Sequence, residues 1–169
     1  YYKNGAKWKV GSYHNDKKEG HWQTFFEDGQ LLQEGDFLAG KENGLWKAWY
    51  QNGQLKDEGS YDKGIMDGMW VGFFDNGKLN YQGEQDQGKK SGTWKYGYIN
   101  GKTRETGSYK SGLKEGKWEY YFDSGNLDYS TSYSNGSKDG KSVYYYPHGS
   151  KMREETYDMD RITGKSKMW

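Results

Sequence analysis

An all-β fold built as one elongated, single-layer antiparallel sheet of tandem hairpins is predicted by three observations on this 169-residue chain. Glycine recurs with a 24-residue period, as Gly20, Gly44, Gly68, Gly92, Gly116, Gly140 and Gly164, and all glycines except Gly72 and Gly97 fall into four such columns. Short runs of alternating bulk are separated by Asn-Gly or Asp-Gly, as in "WQTFFEDGQLLQEGDF" and "WKAWYQNGQLKDEGSY", the pattern of a strand, a tight turn and a second strand. No window carries a helical apolar period, so helix is not expected anywhere.

The units run approximately 1–20 (partial), 21–44, 45–68, 69–92, 93–116, 117–140, 141–164 (degenerate) and 165–169 (partial), a single repeat array of about seven. With Asp28 and Gly29 as a two-residue loop, both at positive φ, cross-strand partners place Phe26 opposite Leu31 and Trp22 opposite Gly35. The same count pairs Trp46 with Gly59, Trp70 with Gly83 and Trp94 with Gly107, so each indole is expected to lie over the bare backbone of its hairpin partner. Trp118 meets Thr131, and Ser142 meets Glu155, so 141–164 reads as a degenerate, partly capping repeat. In the second loop, "LAGKENG" and "DKGIMDG", Gly40 and Gly64 are expected in left-handed conformations, joining one hairpin to the next. Seven such units at two strands each form a ribbon of roughly 65–70 Å by 20–25 Å, which twists.

Apolar residues are only 31% of the chain while aromatic ones reach 18%, so the buried area must come from rings packed against glycine backbone. The 25 basic and 24 acidic residues are interspersed, which gives no electrostatic argument for nucleic acid or an anionic membrane. There is no cysteine, hence no disulfide framework and no thiolate chemistry. No apolar run is long enough to span a membrane, and "YYKNGAKWKV" is not a signal segment.

"YYKNGAKWKVGSYHNDKKEGHW", with its later copies "YQNGQLKDEGSYDKGIMDGMW" and "YFDSGNLDYSTSYSNGSKDGKS", resembles the MORN-type repeat, in the bacterial variant of the YwqK-like antitoxins. It departs from that pattern at Gln85, where a tyrosine is expected, at Gly97 and through the seventh repeat. The resemblance implies a twisted single-layer β-ribbon that serves scaffolding and protein binding, and an antitoxin-like neutralising protein is the narrower form of that reading. Together with the Lys, Asn, Tyr and Asp richness, it implies a bacterial cell-envelope or secreted location, the signal or anchor lying outside this chain.

Strand alternation sorts the side chains into two faces. The packed face takes Trp22, Thr24, Phe26, Leu31, Gly35 and Phe37, followed by Trp46, Tyr50, Leu55 and Tyr61; Trp70, Gly83, Trp94, Gly107 and Trp118 continue its structural column, as Gly59 does. The opposite face carries Phe25, Trp49, Phe73, Tyr121 and Tyr145, one ring per unit, with Tyr1 and Trp169 in phase and Gly97 interrupting; Glu34, Lys56, Glu58, Arg104 and Asp128 stand beside them. A row of rings about 10 Å apart suits an extended polypeptide or a glycan chain, the alternative being that the rings only shield the second face of the sheet or pack between strands of neighbouring hairpins. His14, His21 and His148 share no column, the carboxylates fall mostly in turns, and no glycine-rich segment precedes a helix; no catalytic residue, metal ligand or cofactor site is expected. The chain reads as a non-enzymatic interaction scaffold with a protein partner, the alternative being a bacterial surface glycan-binding or cell-wall-binding module. Unpaired edge strands would permit a homodimer.

Overall fold

The computed structural model describes residues 1–169 and contains strands and turns but no helix. The strands are β1 (Lys9–His14), β2 (Lys17–Phe25), β3 (Leu31–Leu38), β4 (Lys41–Trp49), β5 (Leu55–Asp62), β6 (Ile65–Phe73), β7 (Leu79–Asp86), β8 (Lys89–Gly97), β9 (Thr103–Lys110), β10 (Leu113–Tyr121), β11 (Leu127–Ser134), β12 (Ser137–Lys138), β13 (Gly140–Tyr145), β14 (Lys151–Asp158) and β15 (Arg161–Met168). They form one open antiparallel sheet in chain order, with the short β12 pairing only with β11. Only 15 of the 169 residues are buried, so no single core exists and every contact of weight lies between strands adjacent in the chain.

Two kinds of turn alternate along the ribbon, and they exchange the roles the sequence suggests. The two-residue loops with positive φ at both positions are the inter-unit ones: Ala39 and Gly40 at 51° and 87°, Lys63 and Gly64 at 50° and 86°, then Gln87-Gly88, Ser111-Gly112 and Asn135-Gly136. Their twist matches the flanking strands, and none has a β-branched residue at the strained first position. At Asp28-Gly29 only the glycine has positive φ, at 88°. The Phe26 carbonyl accepts the Gly29 N–H at 3.0 Å and the Phe26 N–H donates to the Gln30 carbonyl at 2.8 Å, the hydrogen bonding of a three-residue loop closed by a glycine bulge. Asp28 stays right-handed because its carboxylate accepts the Gln30 N–H at 3.0 Å.

This loop corrects the register near the turn. Trp22 faces Gly35 and Thr24 faces Gln33 as counted, but a bulge then sets Phe25, rather than Phe26, opposite Leu31. The same slip sets Trp49 opposite Leu55 and Phe73 opposite Leu79.

The tryptophans supply the second correction. Trp46 is the register partner of Gly59, yet its indole covers Gly35, one strand back. Between the Glu34–Lys47 and Asp36–Asn43 pairs, Gly35 of β3 is opposed by three residues of β4, and Gly44 in that bulge has φ 76°. The ring is thereby tipped onto the preceding unit, where its Nε1–H donates to the Asp36 carbonyl at 3.1 Å. The arrangement recurs with Trp22 on Gly11, Trp70 on Gly59, Trp94 on Gly83 and Trp118 on Gly107, each indole donating to the carbonyl after its glycine. A Cβ at any of these glycines would sit inside the ring. The glycine column therefore locks unit to unit rather than strand to strand within a hairpin.

Between successive indoles stands another ring, edge-on to both. Trp22, Phe37, Trp46, Tyr61 and Trp70 follow one another at centroid distances of 5.1–6.2 Å, near-perpendicular throughout. Trp94, Tyr109, Trp118 and Tyr133 resume the series beyond Gln85. Lysines lie across this stripe: Lys18 over Trp22 and Phe37, Lys90 over Trp94 and Tyr109, and Lys114 over Trp118 and Tyr133. No second layer covers the face, so cation–π contacts and aliphatic stems shield it. Toward the C-terminus the indole and glycine are replaced together by Ser142 and Thr131, fully buried and hydrogen-bonded to each other. One unit on, Glu155 fills the glycine position, held by Tyr157 at 2.9 Å, Ser166 at 3.3 Å and Arg153 at 3.4 Å.

Candidate binding surfaces

The opposite face owes its ring column to the bulge. Tyr121 donates its hydroxyl to Glu119, two residues back on β10, at 2.8 Å, which places both away from the tryptophan stripe. Phe25, Trp49, Phe73, Tyr121 and Tyr145 are all half-buried rather than fully exposed, because the register slip puts Leu31, Leu55, Leu79 and Leu127 opposite the first four. Trp49 lines a shallow depression with Gln30, Leu31 and Gly53, so the ring also overlaps the leucine of the preceding hairpin. Leu31 and Leu55 accordingly belong with this column and not, as expected, with the tryptophan stripe. Gly97 interrupts the row because its backbone is pressed against the Leu79 carbonyl, leaving no room for a side chain.

Charges of both signs border the rings. Lys47 pairs with Glu58 at 3.4 Å and Lys141 with Glu154 at 2.7 Å across strands, and Lys117 with Glu119 at 2.6 Å along β10; with the lysines solvent-accessible, such pairs contribute little to stability. His21 lies 3.0 Å from Asp36 and 3.3 Å from Glu34, and the hydrogen bond to Asp36, against a small desolvation effect, raises its pKa above 6.5. Two of the expected flanking residues are placed elsewhere. Arg104 turns to the tryptophan face, 5.7 Å above Tyr96 and 3.4 Å from Glu105, and Lys56 folds over Tyr50. Both sit in the bulged position beside the turn, where strand alternation no longer assigns a face.

The turn rim is tied from unit to unit. Asn52, Asn76 and Asn100 each accept the N–H two residues on, and each donates its amide to a carbonyl of the following unit, on Asp75, Ile99 and Asp123, at 2.7–2.9 Å. Tyr50 and Tyr98 add hydroxyl bonds to the Phe73 and Tyr121 carbonyls. His148, in the same column, instead stacks on Tyr146 and bonds Ser150 at 2.7 Å. On the tryptophan face, burial raises the pKa of Asp57, whose register partner is Ala48, and pushes the Tyr81 hydroxyl up to about 12. His148 thus serves a turn and His21 an ion pair, and Asp57 has no acidic partner across the ladder.

No curated protein matches the chain. The sequence profile of the family described as MORN repeat variant matches residues 18–39, 42–63, 66–86, 114–135 and 138–159. Those stretches make up more than half the chain and keep the 24-residue phase of the glycine columns. Residues 87–113, which hold Gly97 and the loop after it, lie between matched stretches. Repeats of this kind generally take binding and scaffold roles and are typically non-enzymatic. With its consecutive hairpins, its glycine and tryptophan columns and this recurrent match, the chain belongs to the MORN repeat variant family.

Proposed function

We propose that the chain is a non-catalytic interaction module whose ribbon face presents Phe25, Trp49, Phe73, Tyr121 and Tyr145 to an extended segment of a partner protein. The observation that carries this reading is the spacing. One half-buried ring appears per pair of strands, an interval of about 10 Å, which equals roughly three residues of extended polypeptide. Half-burial fixes the rings before binding, so little side-chain entropy is lost on docking, and the alternating charges beside them supply polar specificity.

The test compares wild type with a Trp49→Ala, Phe73→Ala, Tyr121→Ala variant whose far-UV CD and melting curve establish that it is folded. Both are passed over lysate and cell-envelope fractions, and retained species are identified by mass spectrometry and then rebound in purified form. A defined protein that binds wild type tightly and the variant at least tenfold more weakly supports the proposal. If that protein has no toxic activity that the chain suppresses, the narrower antitoxin-like role falls while the scaffold remains. Retention of polysaccharide without protein would replace the reading by glycan binding, and equal retention by both chains would make the row purely structural.

A further inference from the structure

The aromatic stripe has one gap. Phe37, Tyr61, Tyr109 and Tyr133 each stand edge-on to a neighbouring tryptophan, but the equivalent position between Trp70 and Trp94 holds Gln85. The space is left as a cleft of about 230 Å³, lined by Trp70, Trp94, Tyr81, Tyr96, Met66 and Lys90 together with Gln85. The Gln85 Oε1 is buried there and makes no hydrogen bond, an uncompensated polar group. Across three of the four filled positions an ammonium lies over the ring, Lys18 over Phe37, Lys90 over Tyr109 and Lys114 over Tyr133, while the column places Glu42 at the Tyr61 position; at this one it places Met66, an adaptable thioether that lines the cleft. Lys90 is turned toward its own unit, donating to Tyr96 Oη at 2.6 Å.

From these features we propose that the Gln85 cleft is a binding slot for a tyrosine side chain of a partner polypeptide, which supplies in trans the ring that the other units supply from their own sequence. Shape and polarity point the same way. The cleft has the volume for a single ring against the two indoles that line it, and a turn of the Gln85 side chain would let its orphan oxygen accept that ring's hydroxyl. The cleft is too small and too open on a flat sheet face to enclose most of a free ligand, which requires about 300 Å³ or more, so the ring is anchored by a chain that continues across the face. This face is the one opposite the Phe25–Tyr145 row, and the slot stands whether or not that row binds anything.

The test follows the tryptophan indole N–H signals by two-dimensional NMR while p-cresol, its methyl ether 4-methylanisole, and the peptide Gly-Tyr-Gly are titrated. The slot requires that p-cresol and the peptide shift Trp70 and Trp94 selectively, that Trp22 and Trp46 stay still, and that the methyl ether binds at least fivefold more weakly. Gln85→Tyr restores the residue found at Tyr61 and Tyr109, so it should fold, melt at a higher temperature than wild type and lose the response. Gln85→Phe, matching Phe37, is a second filling variant with the same expectation. Absence of any shift with p-cresol, shifts spread evenly over the tryptophans, or a response that persists in Gln85→Tyr or Gln85→Phe would each overturn the slot. A response to p-cresol without one to Gly-Tyr-Gly overturns the partner-chain source.

Discussion

Alanine at Gly107 tests which indole holds which glycine. A Cβ there falls within the ring of Trp118, a side chain with no exposed surface, so the ring must move or the strands must part. Overpacking of this kind costs about 1–3 kcal/mol. Displacing the ring also lengthens the Nε1–H bond to the Ser108 carbonyl, 3.0 Å in the native state, which costs about 0.5–1.5 kcal/mol more. Replacing glycine by alanine in a strand returns roughly 0.5–1 kcal/mol through lower chain entropy. The net destabilisation is about 2 kcal/mol, a fall of roughly 4–8 °C in melting temperature for a chain of this size. In a Trp118→Ala background the obstacle is absent and Gly107→Ala should become neutral or stabilising, giving a coupling of roughly 2–3 kcal/mol between the two positions. Urea unfolding followed by far-UV CD, with amide exchange of β9 and β10, measures all four corners of the cycle. A Gly107→Ala cost that is the same with and without Trp118, or one that disappears instead with its register partner Trp94, would refute the inter-unit lock.

Other expectations rest on separate parts of the ribbon. Restoring the consensus pair by Thr131→Gly with Ser142→Trp should be tolerated only as the double change, since the lone indole meets the Thr131 side chain and the lone glycine leaves Ser142 unbonded; melting curves of the three variants decide it. Asn76→Asp keeps the cap on the Lys78 N–H but loses the donor to Ile99, so stability should fall by about 0.5–1 kcal/mol with the turn intact, as Asp28 shows the turn accepts a carboxylate. His21 should titrate above 6.5 by NMR, and Asp36→Asn should lower that value. Because its folded pKa is raised, its stabilising contribution is fully present below pH 6.5 and is lost as pH rises through the folded value; His21→Gln should remove that dependence.

Hairpin count, period, antiparallel pairing and the Trp–Gly register could all be read from the chain, because a 24-residue repeat with alternating bulk admits few arrangements and each strand pairs with its sequence neighbour. The ring row from Phe25 to Tyr145 and its break at Gly97 were legible for the same reason. Turn type was not. Asp28-Gly29 and Ala39-Gly40 both present a glycine after a small or polar residue, and a side-chain hydrogen bond to Gln30 keeps Asp28 out of the left-handed region that Ala39 enters. That one choice moves Leu31 opposite Phe25, half-buries the aromatic row, and frees Arg104 and Lys56 from the face that alternation assigns them.

The sequence by itself determined the elements and their order, since those depend on local pattern and on pairing between neighbours in the chain. Only the tertiary structure decided that each indole reaches back to the preceding unit's glycine, and that a glutamine in place of one ring opens a cleft between Trp70 and Trp94. Both follow from bulges and side-chain packing across units, where the position of a ring is set by the backbone it lies against rather than by its place in the repeat.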